Sequence, residues 1–286
     1  MTHPHRRAVV TGASSGIGQQ ISLHLAQQPS VAKIGIHYRN NRAGAEETAA
    51  MVRSLGKEAV LLQADFASEE SCHKFVDQAW QELAGDDGSS GSPDGPNVWI
   101  NNAGADVLTG EAAGWSFDEK LRYLMRVDVT NTIAISRRVA AKMRADIKQS
   151  QRHRRSESLD SDDVSQSRND RSMVFIGWDQ APHGMEGDAG QMFGPVKAAV
   201  MAFAASLAQE LAPEIRVNTV CPGWIQTAWG DSTSEYWDRR AKDQSLMQRW
   251  GKPEDVAKAV AFCADEANTF CCGQVINVNG GWNRRY

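Results

Sequence analysis

The chain has 286 residues, 41% of them hydrophobic, which is enough apolar material to bury one large core without a second domain. Its formal net charge of −4 offers no basic footprint for a phosphate backbone, so no nucleic-acid partner is expected. Five cysteines lie irregularly in apolar segments, and adjacent Cys271 and Cys272 form neither a zinc knuckle nor a C-x-x-C pair; they read as reduced thiols of a cytoplasmic protein with no metal site.

Met1 to Arg7 leads straight into an apolar strand with no signal-peptide core, and no apolar run is expected to reach membrane-spanning length, so no membrane partner is expected. Ala8 to Val10 reads as the first strand and Ile17 to Gln27 as the first helix. Between them stands Thr11-Gly12-Ala13-Ser14-Ser15-Gly16-Ile17-Gly18. Glycines in that context turn the chain tightly, let backbone N–H groups approach a pyrophosphate and allow close helix packing, while the helix N-terminus favours negative charge.

The second unit, strand Lys33 to Tyr38 and helix Gly44 to Leu55, carries His37-Tyr38-Arg39-Asn40 at its turn. A site preferring NAD(H) needs an acid there for the adenosine ribose hydroxyls; Arg39 instead suits a 2′-phosphate, and the expectation is NADP(H) in preference to NAD(H). Strand Ala59 to Gln63, helix Glu69 to Leu83 and strand Val98 to Ile100 continue the rhythm. A helix is expected across Phe117 to Met143, then strand Met173 to Ile176, a helix from Pro195 to Leu211, and strands Ile215 to Val220 and Val275 to Val278. About seven parallel strands with helices on both faces make a doubly wound α/β sheet, a single Rossmann domain over residues 1–286. Gly85 to Pro96 reads as a surface loop, and Lys148 to Ser172, dense in Arg and Asp with almost nothing to bury, as a mobile insertion.

Further along stand Asn101-Asn102-Ala103-Gly104, Asp65, Arg216-Val217-Asn218, Pro222-Gly223-Trp224-Ile225-Gln226-Thr227, Lys197, and the closing Gly280-Gly281. With the glycine loop, these make the chain resemble the short-chain dehydrogenase/reductase family from about Arg7 to Trp282, with a pattern similar to the 3-oxoacyl-carrier-protein reductase-like branch. The resemblance implies a cofactor site made of the loop residues Gly12, Ser14, Ser15, Gly16, Ile17 and Gly18, with Tyr38, Arg39 and Asn40 at the adenosine end. Asp65, beside Phe66, would hold the adenine amino group, and Asn102, Ala103 and Gly104 would line the adenosine and ribose. Pro222, Gly223, Trp224 and Thr227 would meet the nicotinamide and pyrophosphate, and Lys197 the nicotinamide ribose.

The catalytic set departs from that family, which uses an Asn, a Ser, a Tyr and the Lys. Asp128 stands at the Asn, Trp178 or its neighbour Asp179 at the Ser, and Phe193 at the Tyr; Lys197 alone is unchanged. Phe193 supplies neither proton nor hydrogen bond. Asp179, walled by Trp178, is one candidate acid if burial raises its pKa, and the alternative is an ionised Asp179 paired with a backbone amide or a cation. Asp128 is expected to pair with Lys197. The pteridine-reductase-like branch shares an aspartate in place of the serine, the His37-Tyr38 strand end and a long insertion before the fifth strand, but keeps its tyrosine.

Trp229, Tyr236 and Trp237 in Ala228 to Met247 suit either a subunit contact or, with Trp178 and Trp224, a narrow aromatic pocket for a planar small molecule. Leu121, Leu124, Ile133, Ile135, Val200, Phe203 and Leu207 suggest more apolar helix surface than one sheet covers, hence a homodimer or homotetramer. Three functions stay open: an NADP(H)-dependent oxidoreductase reducing a small carbonyl or C=N substrate with an atypical proton donor, an inactive NADP(H)-binding homologue serving as sensor or assembly subunit, and a pteridine-reductase-like enzyme.

Overall fold

Alternation along the first strand, β1 (Arg6–Val10), already sets the two-layered core. Ala8 and Val10 face one side of the sheet and Val9 the other, as a pleated strand requires, and all three are fully buried. The computed structural model describes residues 6–85, 94–157, 171–227 and 234–282.

Seven strands pair in parallel in the order β3-β2-β1-β4-β5-β6-β7. They are β1, β2 (Val31–Tyr38), β3 (Glu58–Gln63), β4 (Val98–Asn101), β5 (Arg171–Ile176), β6 (Ile215–Pro222) and β7 (Val275–Val278). On the face of Ala8 and Val10 pack α1 (Gly16–Ala26), α2 (Arg42–Ser54) and α8 (Pro253–Ala264), through Ile21, Leu25, Val52 and Val260. On the face of Val9 pack α3 (Glu69–Glu82), α5 (Thr132–Glu157) and α6 (Gly187–Leu211), through Phe75, Val139, Met143 and Val200. The short helices α4 (Phe117–Leu124) and α7 (Glu235–Gln244) lie at the strands' C-terminal ends. Strand order reverses between β1 and β4, so the crevice beyond their C-terminal ends is where a doubly wound sheet binds its ligand.

The doubly wound α/β sheet of seven strands is as the sequence predicts, and five local expectations are corrected. The helix expected over Phe117 to Met143 is instead α4, capped by a Ser116–Glu119 capping box, then a π-helical stretch Met125–Asn131, then α5. α5 runs on to Glu157, so the first ten residues of the supposed insertion are helical; Lys, Gln and Arg cannot fill a core but are good helix formers. At its other end Arg171 belongs to β5 and pairs with Asp94 at 3.0 Å; residues 158–170 lie outside the described part, as do 86–93 of the Gly85 to Pro96 loop.

α6 begins at Gly187, with Pro195 inside it rather than at its first turn, because Gly190 and Met192 are already buried. At 25 residues α6 is also long and apolar enough to cross a bilayer by length and composition, contrary to expectation, although Val196, Val200 and Leu207 seat it in the core. Leu124, Ile135, Val200 and Leu207, read as surplus surface for an assembly, are buried within this one chain, since the helices cover one another as well as the sheet.

Candidate functional site

The glycine loop is fixed by a hydroxyl and an amide. Thr11 Oγ1 donates to the Ile100 carbonyl at 3.1 Å and accepts from the N–H groups of Asn102 and Ala103, each at 2.9 Å, tying the end of β1 to the end of β4. Asn102 Nδ2 donates to the carbonyls of Thr11 and Gly12 at 2.8 and 3.1 Å, so this side chain braces the loop. A Cβ at Gly12 would stand 2.9 Å from Ala103 Cα, and one at Gly18 would stand 2.2 Å from the Gly12 carbonyl oxygen. Both positions therefore require glycine, and the first turn of α1 opens with no acidic residue to oppose an anion.

Beneath the loop His37 Nδ1 accepts from the Gly12 N–H at 2.9 Å, and Nε2 donates to the Ala64 carbonyl at 3.2 Å, which selects one neutral tautomer. Its ring stacks on Phe66 at 4.3 Å and 12°. Burial pushes the imidazole down to about 4, against opposing pulls from Ala64 and Asp65. In the sequence His37 stands out only as part of the His37-Tyr38 strand end. Its signal was a polar residue at the C-terminal end of an otherwise apolar run, Ile34 to Tyr38.

A cleft of about 680 Å³ runs from this loop past Tyr38, Arg39 and Asn40 to Asp65 and Phe66, and back along Asn102, Ala103 and Gly104 to Thr227. The structure thus brings Gly12, Ser14, Ser15, Gly16, Ile17 and Gly18 together with the residues predicted for the adenosine end. Asp65 Oδ1 accepts from the Ala67 N–H at 2.9 Å. Arg39 donates to the Tyr123 hydroxyl at 2.7 Å, an α4 contact that nothing in the local sequence announced. Glycines that admit no side chain, a helix N-terminus and a guanidinium at the far end suit a phosphorylated dinucleotide.

Ile17, Leu108, Phe193 and Thr227 line both this cleft and a second cavity of about 320 Å³. The second cavity is walled by Trp178, Trp224, Trp237, Trp250 and Phe193. Trp224 and Trp237 lie 5.6 Å apart, and Trp224 meets Trp250 edge-on at 5.9 Å. Two of the indole N–H groups are committed: Trp224 Nε1 to Gln244 Oε1 at 3.0 Å, and Trp250 Nε1 to Asp238 Oδ1 at 2.9 Å. α7, which carries Trp237, is joined to the β5–α6 loop by Arg240 and Glu186, and the guanidinium holds the Glu186 carboxyl down at about 2. Arg240 also sits over the Trp237 ring at 5.2 Å. Trp229 lies outside the described residues.

At the junction of the two spaces Lys197 follows Phe193 by one turn of α6. Lys197 Nζ pairs with Asp128 Oδ2 at 3.0 Å, and Asp128 Oδ1 accepts from the Ala105 N–H at 2.7 Å. The π-helical stretch turns Asp128 inward, where it is 2% exposed. Asp179, by contrast, is not brought to the cavity: Trp178 takes the wall, and Asp179 lies behind Gly223, where Oδ2 accepts from Asn279 Nδ2 at 3.0 Å. Burial raises this carboxyl above its ordinary range against the pull of Asn279, and Oδ1 is buried with no hydrogen-bond partner among the described residues. Pro222, Gly223 and Trp224 do reach the cavity.

Comparison with known proteins agrees with this geometry. Residues 6–151 match the family model described as short chain dehydrogenase, and 164–283 the one described as Enoyl-(Acyl carrier protein) reductase. The chain is 30% identical over 279 residues to 3-oxoacyl-[acyl-carrier-protein] reductase FabG of Aquifex aeolicus, covering 96% of each, and 27% identical to cyclohexanol dehydrogenase of a Rhodococcus species, covering 96% of this chain and 94% of the other. A crystal structure of a short chain dehydrogenase from Burkholderia cenocepacia in complex with NADP matches with a TM-score of 0.73 at 25% identity, covering 98% of each chain. With one family model over more than half its length and a relative at this identity across nearly all of it, the chain belongs to the short-chain dehydrogenase/reductase family.

Proposed function

We propose that this chain is an NADP(H)-dependent oxidoreductase that reduces a small, planar, largely apolar molecule. The observation that carries the reading is the meeting of the glycine-loop cleft with the aromatic cavity at Phe193 and Thr227. Gly12 to Gly18 and the N-terminus of α1 hold the pyrophosphate, Arg39 with Asn40 the 2′-phosphate, Asp65 and Phe66 the adenine, and Lys197 the ribose beside the cavity. When bound, NADPH supplies a hydride.

The protein's part is orientation and exclusion of water. Trp178, Trp224 and Trp237 hold the substrate ring and keep bulk solvent from it. Phe193 cannot donate, and Asp179 is behind Gly223, so any proton comes from water held beside Lys197. The pteridine-reductase-like reading then rests on the His37-Tyr38 strand end and the insertion before the fifth strand. The absent phenol supports a second reading, an NADP(H)-binding homologue without turnover that serves as sensor or assembly subunit. Under either reading the protein is cytoplasmic and assembles as a symmetric dimer or tetramer.

Titration calorimetry with NADPH and NADH, followed by an absorbance screen for NADPH consumption against oxoacyl, quinone and dihydropterin substrates, tests the choice. Tighter binding of NADPH that Arg39→Ala reduces to parity, together with turnover, is the expected result. Binding without turnover of any class selects the sensor, and no binding of either nucleotide removes both readings.

A further inference from the structure

The aromatic cavity and the Lys197–Asp128 pair together carry a substrate class. We infer that the cavity binds a planar organic cation of the iminium type, a C=N⁺ group held against Trp178 and its neighbouring indoles. Its reduction rests on the NADP(H) reading above; its binding does not.

Reduction of a neutral carbonyl or imine builds negative charge on the heteroatom, and a site suited to that chemistry aims a proton donor and positive potential at it. This site is poor in both. Phe193 and Trp178 stand where donors are expected, and among the side chains of the described lining residues the donors left are Lys197, Thr227 and the indole N–H groups. Trp224 and Trp250 have given their N–H groups to Gln244 and Asp238. The charge of Lys197 is balanced at 3.0 Å by Asp128, so little positive potential is left for an oxyanion.

Each of these features is favourable for a cation. When a hydride adds to the carbon of C=N⁺, the π pair moves to nitrogen, which becomes a neutral amine; the two electrons come from a dihydronicotinamide, and no proton enters. A preformed cation loses solvation on entering an apolar cavity, and indole faces are the groups that compensate it. The neutral Lys197–Asp128 pair leaves no net charge to repel it. Trp237 already holds one cation, Arg240, itself balanced by Glu186.

The test is a matched pair of ligands of one shape. N-methylisoquinolinium and its all-carbon isostere β-methylnaphthalene are titrated into the protein by calorimetry and by tryptophan quenching. Binding of the cation at least about tenfold more tightly is expected, with the preference kept in Trp178→Phe and lost in Trp178→Leu, because only the former retains a π face. Equal or tighter binding of the naphthalene overturns the inference. With NADPH present, N-methyl dihydroisoquinolinium is consumed at a rate flat from about pH 6 to about pH 9, since no acid titrates in the step, whereas the neutral ketone α-tetralone is not consumed. Faster consumption of the ketone overturns it as well, as does a bound cation left unreduced while NADPH is bound. Failure of NADPH to bind defeats the NADP(H) reading and leaves the cation preference to be judged from the two titrations.

Discussion

His37 links the cofactor loop to pH. The free imidazole titrates near 6.5 and the folded one at about 4, so between these values the unfolded chain holds one more proton than the folded one. Stability therefore rises with pH across that window and is lost as pH falls, by about 3 kcal/mol in all for a shift of this size. Urea midpoints measured from pH 7 to pH 4 should show the loss in the native chain and a much flatter profile in His37→Leu. That variant also strands the Gly12 N–H, at a cost of about 1–3 kcal/mol, and should weaken NADPH binding at neutral pH. Asp128 makes the second residue-scale prediction: Asp128→Ala removes one partner of a largely buried ion pair and should destabilise by about 3 kcal/mol or more in chemical denaturation. Asp128→Asn keeps an acceptor for Ala105 but frees the charge of Lys197. Combined with Phe193→Tyr it should confer ketone reduction that neither change gives alone, measured as NADPH consumption with α-tetralone.

Among the elements, α7 is held to Trp224 and Trp250 through Gln244 and Asp238, and to the β5–α6 loop through Arg240. Arg240→Ala removes its tie to Glu186 and its stacking on Trp237. Such a partly solvated pair contributes within about 1 kcal/mol to stability, so the expected result is an unchanged denaturation midpoint with a several-fold higher KM and greater tryptophan mobility by fluorescence anisotropy. The elements also show what could be read in advance. The glycine loop and Asn102 to Gly104 were legible because their chemistry is local, a turn after a strand before a helix. The Asp128–Lys197 pair was legible only through the family pattern, since 69 residues separate the two partners. Asp179 was misplaced because the direction of the chain leaving β5 is decided elsewhere, by its N–H bonding the Pro222 carbonyl at 3.3 Å and its carboxylate meeting Asn279. Low apolar content rightly excluded core packing for residues 148–152 and wrongly excluded a helix over 148–157, because turns with nothing to bury need only propensity.

For the whole molecule, strand order converts sequence-distant loops into one continuous trough. β1 and β4 are neighbours although 87 residues lie between Val10 and Val98, and the switch of direction between them opens the cleft. A ligand that bridges the ends of β1, β2, β4 and β6 binds only the folded chain. At one hundred times its Kd it should add about 2.7 kcal/mol, a rise in Tm of about 5 °C for a chain of this size. Thermal scans should show the larger rise for NADPH than for NADH, and Arg39→Ala should make the two equal.

The π-helical stretch Met125–Asn131 lies between the two ends of that trough. A π turn takes up one residue more than an α turn while leaving the helices on either side nearly in phase, so a chain one residue shorter across this stretch would close into regular turns with α4 and α5 where they are. Tyr123 would keep Arg39, while Asp128 would lose the wide turn that aims it at Lys197. One surplus residue is thus a local device that presents a carboxylate without disturbing the rod on either side, and its excision should be felt at the lysine alone.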